Sequence, residues 1–298
     1  MFTHPRRNAI FQALFVVFLW ATSWVLIKIG LQEIPPILFA GLRYTLAFLC
    51  LLIVVMLGPR SVNLRSLSGR TWTKLVSLGI CFYALTQGAS FVALNLLPAV
   101  TVNLLWSFSS IAVAILGIFW LSEKPTRMQW LGIILSLVGA VLFFFPASVP
   151  GNFLPGLAAA IVGVLANAVS SILGREVNRK GELPPLVVTV VSMGIGAIAL
   201  LGIGVMVEGM PQIDLRGWAI ILWLAVVNTA FAFTLWNHTL RQLKAVESSI
   251  INGTMLIWIP VLAVLFLGER VNAREILALL VVGVGTLVVQ LKRVPGKA

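Results

Sequence analysis

The chain has 298 residues, of which 60% are hydrophobic and only 10% are charged, and its formal net charge is +12. A soluble domain needs about 25% charged residues to cover its surface, so this composition excludes a water-soluble protein and predicts an all-α integral membrane protein. The basic residues lie in short gaps between apolar runs, which indicates a role in membrane topology and not binding to nucleic acid.

Ten apolar runs are long enough to cross a membrane, because a spanning helix needs about 20 apolar residues. In chain order, the predicted transmembrane helices cover residues 9–31, 36–57, 72–94, 98–121, 128–146, 155–174, 185–207, 217–239, 246–267 and 275–291. The first run is longer than the apolar region of a signal peptide, so we expect it to remain as a helix. The short loops leave no room for a soluble catalytic domain, and the phosphate-binding loop motif is absent from the sequence.

The distribution of Lys and Arg predicts the orientation of these helices. With a cytoplasmic N-terminus, the cytoplasmic segments contain 16 of the 21 basic residues and the outer segments contain four, while Arg43 lies within a span. This asymmetry predicts that both termini are cytoplasmic.

A similar run of residues occurs twice, 146 positions apart. Residues 97–123 and 243–269 match at seven of 27 positions, and both begin L-x-A-V and end in glutamate. At the same offset, Gly139 pairs with Gly285. Five helices followed by five related helices predict two repeats, residues 1–150 and 151–298, and the second is inverted because five is odd. Inverted repeats are typical of alternating-access transporters with a substrate site near the midplane.

Several stretches resemble a known family. They are FLWATSWVLIKIGL in the first helix, PPILFAGLRYTLAF in the second, and the L-S-E and L-G-E ends of helices four and nine. Over the whole chain the sequence resembles the drug/metabolite transporter superfamily, its EamA-type exporters, and most of all the bacterial aromatic amino acid exporters. This resemblance implies a carrier in the bacterial cytoplasmic (inner) membrane that moves aromatic amino acids outward.

Polar and aromatic residues at helical spacing on the apolar helices predict a substrate site. The candidates are Trp20, Ser23, Trp24, Arg43, Tyr83, Gln87, Ser90, Asn103, Trp106, Ser107, Asn167, Ser170, Asn228, Trp236 and Asn252. For the serines, close helix packing is the alternative, and for the tryptophans it is a belt at the membrane surface. An aromatic pocket with a few amides suits an amphipathic, ring-bearing solute, whereas a phosphate needs several Arg or Lys side chains.

Three charged residues have two interpretations each. Arg43 lies about 10 Å from the outer end of the second helix, where it either binds a substrate carboxylate or makes a structural bond. Glu123 and Glu269 end helices four and nine beside Lys124 and Arg270. This arrangement indicates solvated ion pairs, with a gate latch as the alternative.

The acidic residues bear on the mechanism. All nine Asp and Glu residues lie in loops or at helix ends, whereas ion-coupled carriers commonly bury a carboxylate within the membrane. We therefore predict a uniporter with a small-molecule substrate, no cofactor and no metal, which could act as a monomer. The alternatives are a carrier of nucleosides, nucleotide-sugars or drug-like solutes, and, less favoured, a membrane-embedded enzyme.

Overall fold

The computed structural model describes residues 4–57, 67–121, 126–145, 153–179, 183–240, 242–243 and 245–291, and its secondary structure in these ranges is entirely helical. Ten helices follow in the predicted order. They are α1 His4–Gly30, α2 Pro36–Met56, α3 Gly69–Leu96, α4 Ala99–Ser107 with Ser109–Leu121, α5 Arg127–Phe144, α6 Phe153–Arg179, α7 Pro185–Glu208, α8 Leu215–Thr239, α9 Ala245–Gly253 with Met255–Leu267, and α10 Ala273–Leu291. In their described parts, nine are long and apolar enough to cross a membrane, and α10 is not among the nine.

The outer surface of the helices is apolar. Ile134, Val141 and Phe266 are 55%, 65% and 67% exposed, and many other large apolar side chains are also exposed. Soluble monomers rarely expose contiguous apolar area on this scale, because water solvates it poorly. A lipid bilayer solvates such a surface, so the exposed faces agree with the membrane class that the composition predicts.

The helix starts follow from proline and short polar residues. Pro36 and Pro185 occupy the first turns of α2 and α7, where the missing N–H has no intrahelical partner to lose. Ser68, Thr126 and Asp214 each accept a backbone N–H at the starts of α3, α5 and α8.

Two pairs of helices depart from regular α-helix at corresponding places. α4 is broken at Phe108 and α9 at Thr254, 146 residues apart, with nine helical residues before and 13 after each break. α3 and α8 contain π-helical stretches, Gly79–Gln87 and Val226–Phe231, which overlap at the same offset. The sequence analysis predicted unbroken helices here, and both features lie inside the predicted bounds.

The helices pack as two bundles beside two long pairs. α2 packs along α7, and α5 packs along α10. α1 packs against α8 and α9, which together form the first bundle. α6 packs against α3 and α4, which together form the second bundle.

Glycine allows the long pairs to approach closely. A Cβ atom at Gly41 of α2 would lie 2.7 Å from the backbone of Leu201 in α7. A Cβ atom at Gly132 of α5 would lie 2.6 Å from the carbonyl oxygen of Gly285 in α10. Small residues at such crossings let membrane helices gain close van der Waals contact.

Candidate functional site

A cavity of about 280 Å³ lies between α3 and α6 of the second bundle, α8 of the first bundle, and α7. Its lining reaches Asn178 near the end of α6, Val188 near the start of α7, and Leu240 after α8. We call this end of the molecule the cavity face. The predicted orientation puts it toward the cytoplasm.

The lining combines aromatic rings with small polar groups. The residues are Leu78, Phe82, Tyr83, Ser170, Ser171, Gly174, Arg175, Asn178, Val188, Thr189, Ser192, Phe233, Trp236, Asn237 and Leu240. Within this lining Arg175 is the charged residue, so the cavity offers one cation, two amides and several hydroxyls beside the rings. Such a surface can stack a planar solute and bind its polar end.

Three of the candidate residues, Tyr83, Ser170 and Trp236, belong to this lining. Trp20 of α1 lies behind it, with its ring centroid 5.1 Å from Trp236 and 5.5 Å from Phe233. The Nε1 atom of Trp20 is buried and has no hydrogen-bond partner among the described residues. A buried indole N–H normally finds a partner, so this donor is an exception among the described residues.

Arg43 lies deeper, behind two tyrosines. Tyr83 meets Tyr44 edge-on at 5.7 Å between ring centroids, and the guanidinium carbon of Arg43 is 5.2 Å from the Tyr44 ring. Arg43 is only 5% exposed. Its Nε donates to Thr229 Oγ1 at 3.1 Å, and no carboxylate in the described chain lies within 4.0 Å of the guanidinium.

A second group of candidates joins the two bundles away from the cavity. Trp24 of α1 meets Trp106 of α4 edge-on at 6.2 Å, and the Trp106 ring packs on Gly163 of α6. Asn103 donates from Nδ2 to the carbonyl of Met255, the first residue after the break in α9, at 3.5 Å. These contacts connect α1 and α9 with α4 and α6.

Three of the remaining candidates, Ser23, Ser107 and Asn228, bond to helix backbone. Ser23 and Ser107 donate to carbonyls three residues earlier in their own helices, as does Ser170 in the lining. Asn228 is fully buried and donates to the Leu19 carbonyl of α1, while its Oδ1 has no partner in the described part of the chain. The others lie outside the cavity lining: Ser90 is buried, Gln87 and Asn167 are half-buried, and Asn252 is exposed.

The sequence analysis missed several residues of the lining. Arg175 and Asn178 lie on α6 past the predicted end of that span at residue 174, and they continue the helical spacing of Ser171 and Gly174, which share the polar face of Ser170. Phe233, Asn237 and Leu240 share this spacing with the predicted Trp236 at the end of α8. Tracing each stripe beyond the apolar core would have found both sets.

Comparison with known proteins identifies the family. The profile of the EamA-like transporter family matches residues 7–145 and matches again over residues 154–291. The chain belongs to the EamA-like transporter family. The resemblance to the drug/metabolite transporter superfamily is therefore confirmed at this level, and the protein is a multi-pass membrane transporter.

Three relatives are similar to this chain over 78% to 95% of its length. The uncharacterized transporter YoaV of Bacillus subtilis is 24% identical over 91% of this chain and 92% of its own length. A protein of Salmonella typhimurium described as a "probable amino-acid metabolite efflux pump" is 28% identical over 78% of each chain. The uncharacterized inner membrane transporter YedA of Escherichia coli K12 is 25% identical over 95% of this chain and 90% of its own.

A solved crystal structure has the same fold. It superposes with a TM-score of 0.68 and covers 96% of this chain and 98% of its own, with 18% identical residues. At 18% sequence identity, this structural similarity shows a shared fold and does not show a shared function.

Proposed function

We propose that this member of the family is an exporter of amino acids, preferably aromatic ones, in the bacterial inner membrane. The observation that carries the proposal is the pairing of an aromatic, amide-lined cavity with a buried arginine that has no acidic partner in the described chain. An aromatic amino acid offers both matching parts, a planar ring and a carboxylate. The printed description of the Salmonella relative supports the amino acid class, and that of YedA supports the inner membrane.

Within this proposal, the ring of the substrate stacks among Phe82, Phe233 and Trp236, and Trp20 offers its free N–H behind them. The carboxylate reaches Arg43 once Tyr83 and Tyr44 move aside. A guanidinium binds a carboxylate through two parallel hydrogen bonds, and the Nη nitrogens of Arg43 make none with the described residues.

We also propose that residues 1–150 and 151–298 are inverted repeats that work by alternating access. Several features support the repeat: the family profile matches each half, and the helix breaks and π-helical stretches correspond. The packing corresponds too, since α2 with α7 and α5 with α10 are self-matching pairs, and α1 with α8 and α9 matches α6 with α3 and α4. We take the monomer as the transporting unit, and we take uniport as its mechanism because the acidic residues lie in loops or at helix ends.

The test is uptake of radiolabelled tryptophan into proteoliposomes of the purified protein, with and without a pH or sodium gradient. We expect saturable uptake that unlabelled phenylalanine blocks, that uridine leaves unchanged, and that neither gradient accelerates. Protein-free liposomes give the background.

Two results would contradict parts of the proposal. Uptake of uridine but not tryptophan would replace the amino acid class by the nucleoside class and leave the fold as it is. Tryptophan accumulation that requires a gradient and collapses with an ionophore would replace uniport by ion coupling.

A further inference from the structure

At the face opposite the cavity, two charged side chains hold the connection between α3 and α4. Lys28, near the end of α1, donates from Nζ to the carbonyls of Leu94 and, at 2.7 Å, Leu97. Glu269, just after α9, accepts the backbone N–H groups of Ala99 at 2.6 Å and Val100 at 3.0 Å. The carboxylate thus caps α4, where the sequence had indicated a solvated pair with Arg270.

The two charges suit the helix ends that they contact. The last carbonyls of α3 carry partial negative charge and attract the ammonium group, while the first N–H groups of α4 carry partial positive charge and attract the carboxylate. Glu269 and Lys28 also carry opposite charges, so they attract each other electrostatically. Hydrogen bonds to charged groups are stronger than neutral ones, so the cluster of Lys28, Glu269 and the α3–α4 connection is a strong local contact.

This contact joins the two bundles at one end only. Lys28 and Glu269 belong to α1 and α9 of the first bundle, and their partners belong to α3 and α4 of the second. At the other end, the cavity separates α8 of the first bundle from α3 and α6 of the second. The two bundles are therefore separated by the cavity at the cavity face, and they are in contact at the opposite face.

We propose that Lys28 and Glu269 form a latch that keeps the opposite face closed, and that releasing it lets the two bundles separate there. The inference rests on the proposed alternating access, because only a carrier that opens to both sides needs such a contact to break. The latch uses hydrogen bonds to backbone groups, which water can replace when the face opens.

Glu208 provides a matched comparison. Its carboxylate caps α2 in the same way, accepting the N–H groups of Ile37 at 3.2 Å and Leu38 at 2.8 Å. It joins α7 to α2, which pack along their lengths with a Cβ at Gly204 only 2.6 Å from Leu38 Cα. Loss of this cap should loosen a fixed pair without opening a path between the bundles.

The test measures access from the latch side with a thiol reporter at position 103. Asn103 is 5% exposed, lies one turn below the latch and contacts α9 across the bundle boundary. The reporter is Asn103→Cys in a chain whose Cys50 and Cys81 are replaced by alanine. A membrane-impermeant maleimide is applied to intact cells and, separately, to inside-out vesicles, so that labelling from each side is measured without substrate.

We expect Glu269→Gln and Lys28→Met each to raise the rate of labelling from the latch side about tenfold or more, and Glu208→Gln to leave it unchanged. Unchanged labelling in both latch variants would overturn the proposal. So would an equal increase in Glu208→Gln, because that result indicates general loosening. Thermal unfolding of each purified variant identifies one that fails to fold, and the other latch variant then decides.

This readout is independent of the substrate. If tryptophan uptake fails while labelling rises in the latch variants, the latch stands and the substrate class is wrong. If tryptophan uptake holds while labelling stays flat, the transport proposal stands and the latch is wrong.

Discussion

Helix packing alone does not explain why Arg43 is buried. Its charge is compensated by the Thr229 hydroxyl and by the faces of Tyr44 and Phe91, whose ring centroids lie 5.2 and 6.0 Å from the guanidinium carbon. Such cation–π contacts contribute about 0.5–2 kcal/mol each, less than the cost of removing a guanidinium from water. An arginine kept for structure alone would be expected to have a carboxylate or several carbonyls around it. The arrangement instead favours an anionic ligand.

Replacement of Arg43 tests this role. Arg43→Gln should lower kcat/KM for tryptophan by about tenfold to a hundredfold, since hydrogen bonds to a charged group contribute about 1.5–3 kcal/mol. Uptake of tryptamine, which lacks the carboxylate, should change little. Thr229→Val is the control, because it removes the Nε partner and keeps the charge. An equal loss for tryptophan and tryptamine would show that Arg43 supports the fold and not the carboxylate.

Not every polar residue of the site could be predicted from the sequence. Helical spacing identified Tyr83, Ser170 and Trp236 of the cavity lining, but it selected Ser23 and Asn228 equally well. The Ser23 hydroxyl donates a hydrogen bond to a carbonyl of its own helix, and the Asn228 amide donates one to a carbonyl of α1. The direction of a polar group depends on how each helix is rotated against its neighbours, and a single sequence does not contain that information.

At the scale of helices, the apolar runs were sufficient to predict all ten elements, because length and hydropathy decide whether a segment can span a bilayer. The breaks at Phe108 and Thr254 were not predicted. Phe108 has no glycine or proline beside it, whereas Thr254 follows Asn252 and Gly253, a pair typical of turns that the sequence analysis did not use. The π-helical stretches were not predicted either, although a Thr hydroxyl donates to the carbonyl five residues earlier at both Thr86 and Thr229.

The crossing of α5 and α10 yields a stability prediction. In Gly132→Ala the new methyl group would lie 2.6 Å from the Gly285 carbonyl oxygen and 2.8 Å from the Val289 backbone nitrogen. The helices must separate to admit it, which should lower the free energy of unfolding by about 1–3 kcal/mol. The measurement is the thermal midpoint in detergent. Gly202→Ala is the control, since a Cβ there meets no atom within 4 Å. A midpoint as high in Gly132→Ala as in Gly202→Ala would contradict the packing argument.

At the scale of the whole molecule, the cavity and the latch describe one conformation. The first and second bundles contact each other at the end held by Lys28 and Glu269, and the cavity separates them at the end lined by Arg175 and Asn178. Under the proposed inverted repeat, a second conformation arises when the two halves exchange their arrangements, which moves the opening to the other face. The direction of transport then follows from the substrate gradient and from which face is cytoplasmic.

The orientation and the inversion make one prediction together. The Pro-Pro pairs that start α2 and α7 occur at matching places in the two halves, so the proposed inversion puts the loops before them on opposite sides of the membrane. Since the basic residues favour a cytoplasmic N-terminus, an alkaline phosphatase fusion after Glu33 should be active outside the cytoplasm, and one after Leu183 should be inactive. A green fluorescent protein fused at the same two positions should give the reciprocal pattern.

Activity of both phosphatase fusions would contradict the inversion, whereas an exchange of the two results would preserve the inversion and reverse the orientation. In that second case the latch would face the cytoplasm, and the labelling of position 103 would rise in inside-out vesicles instead of intact cells.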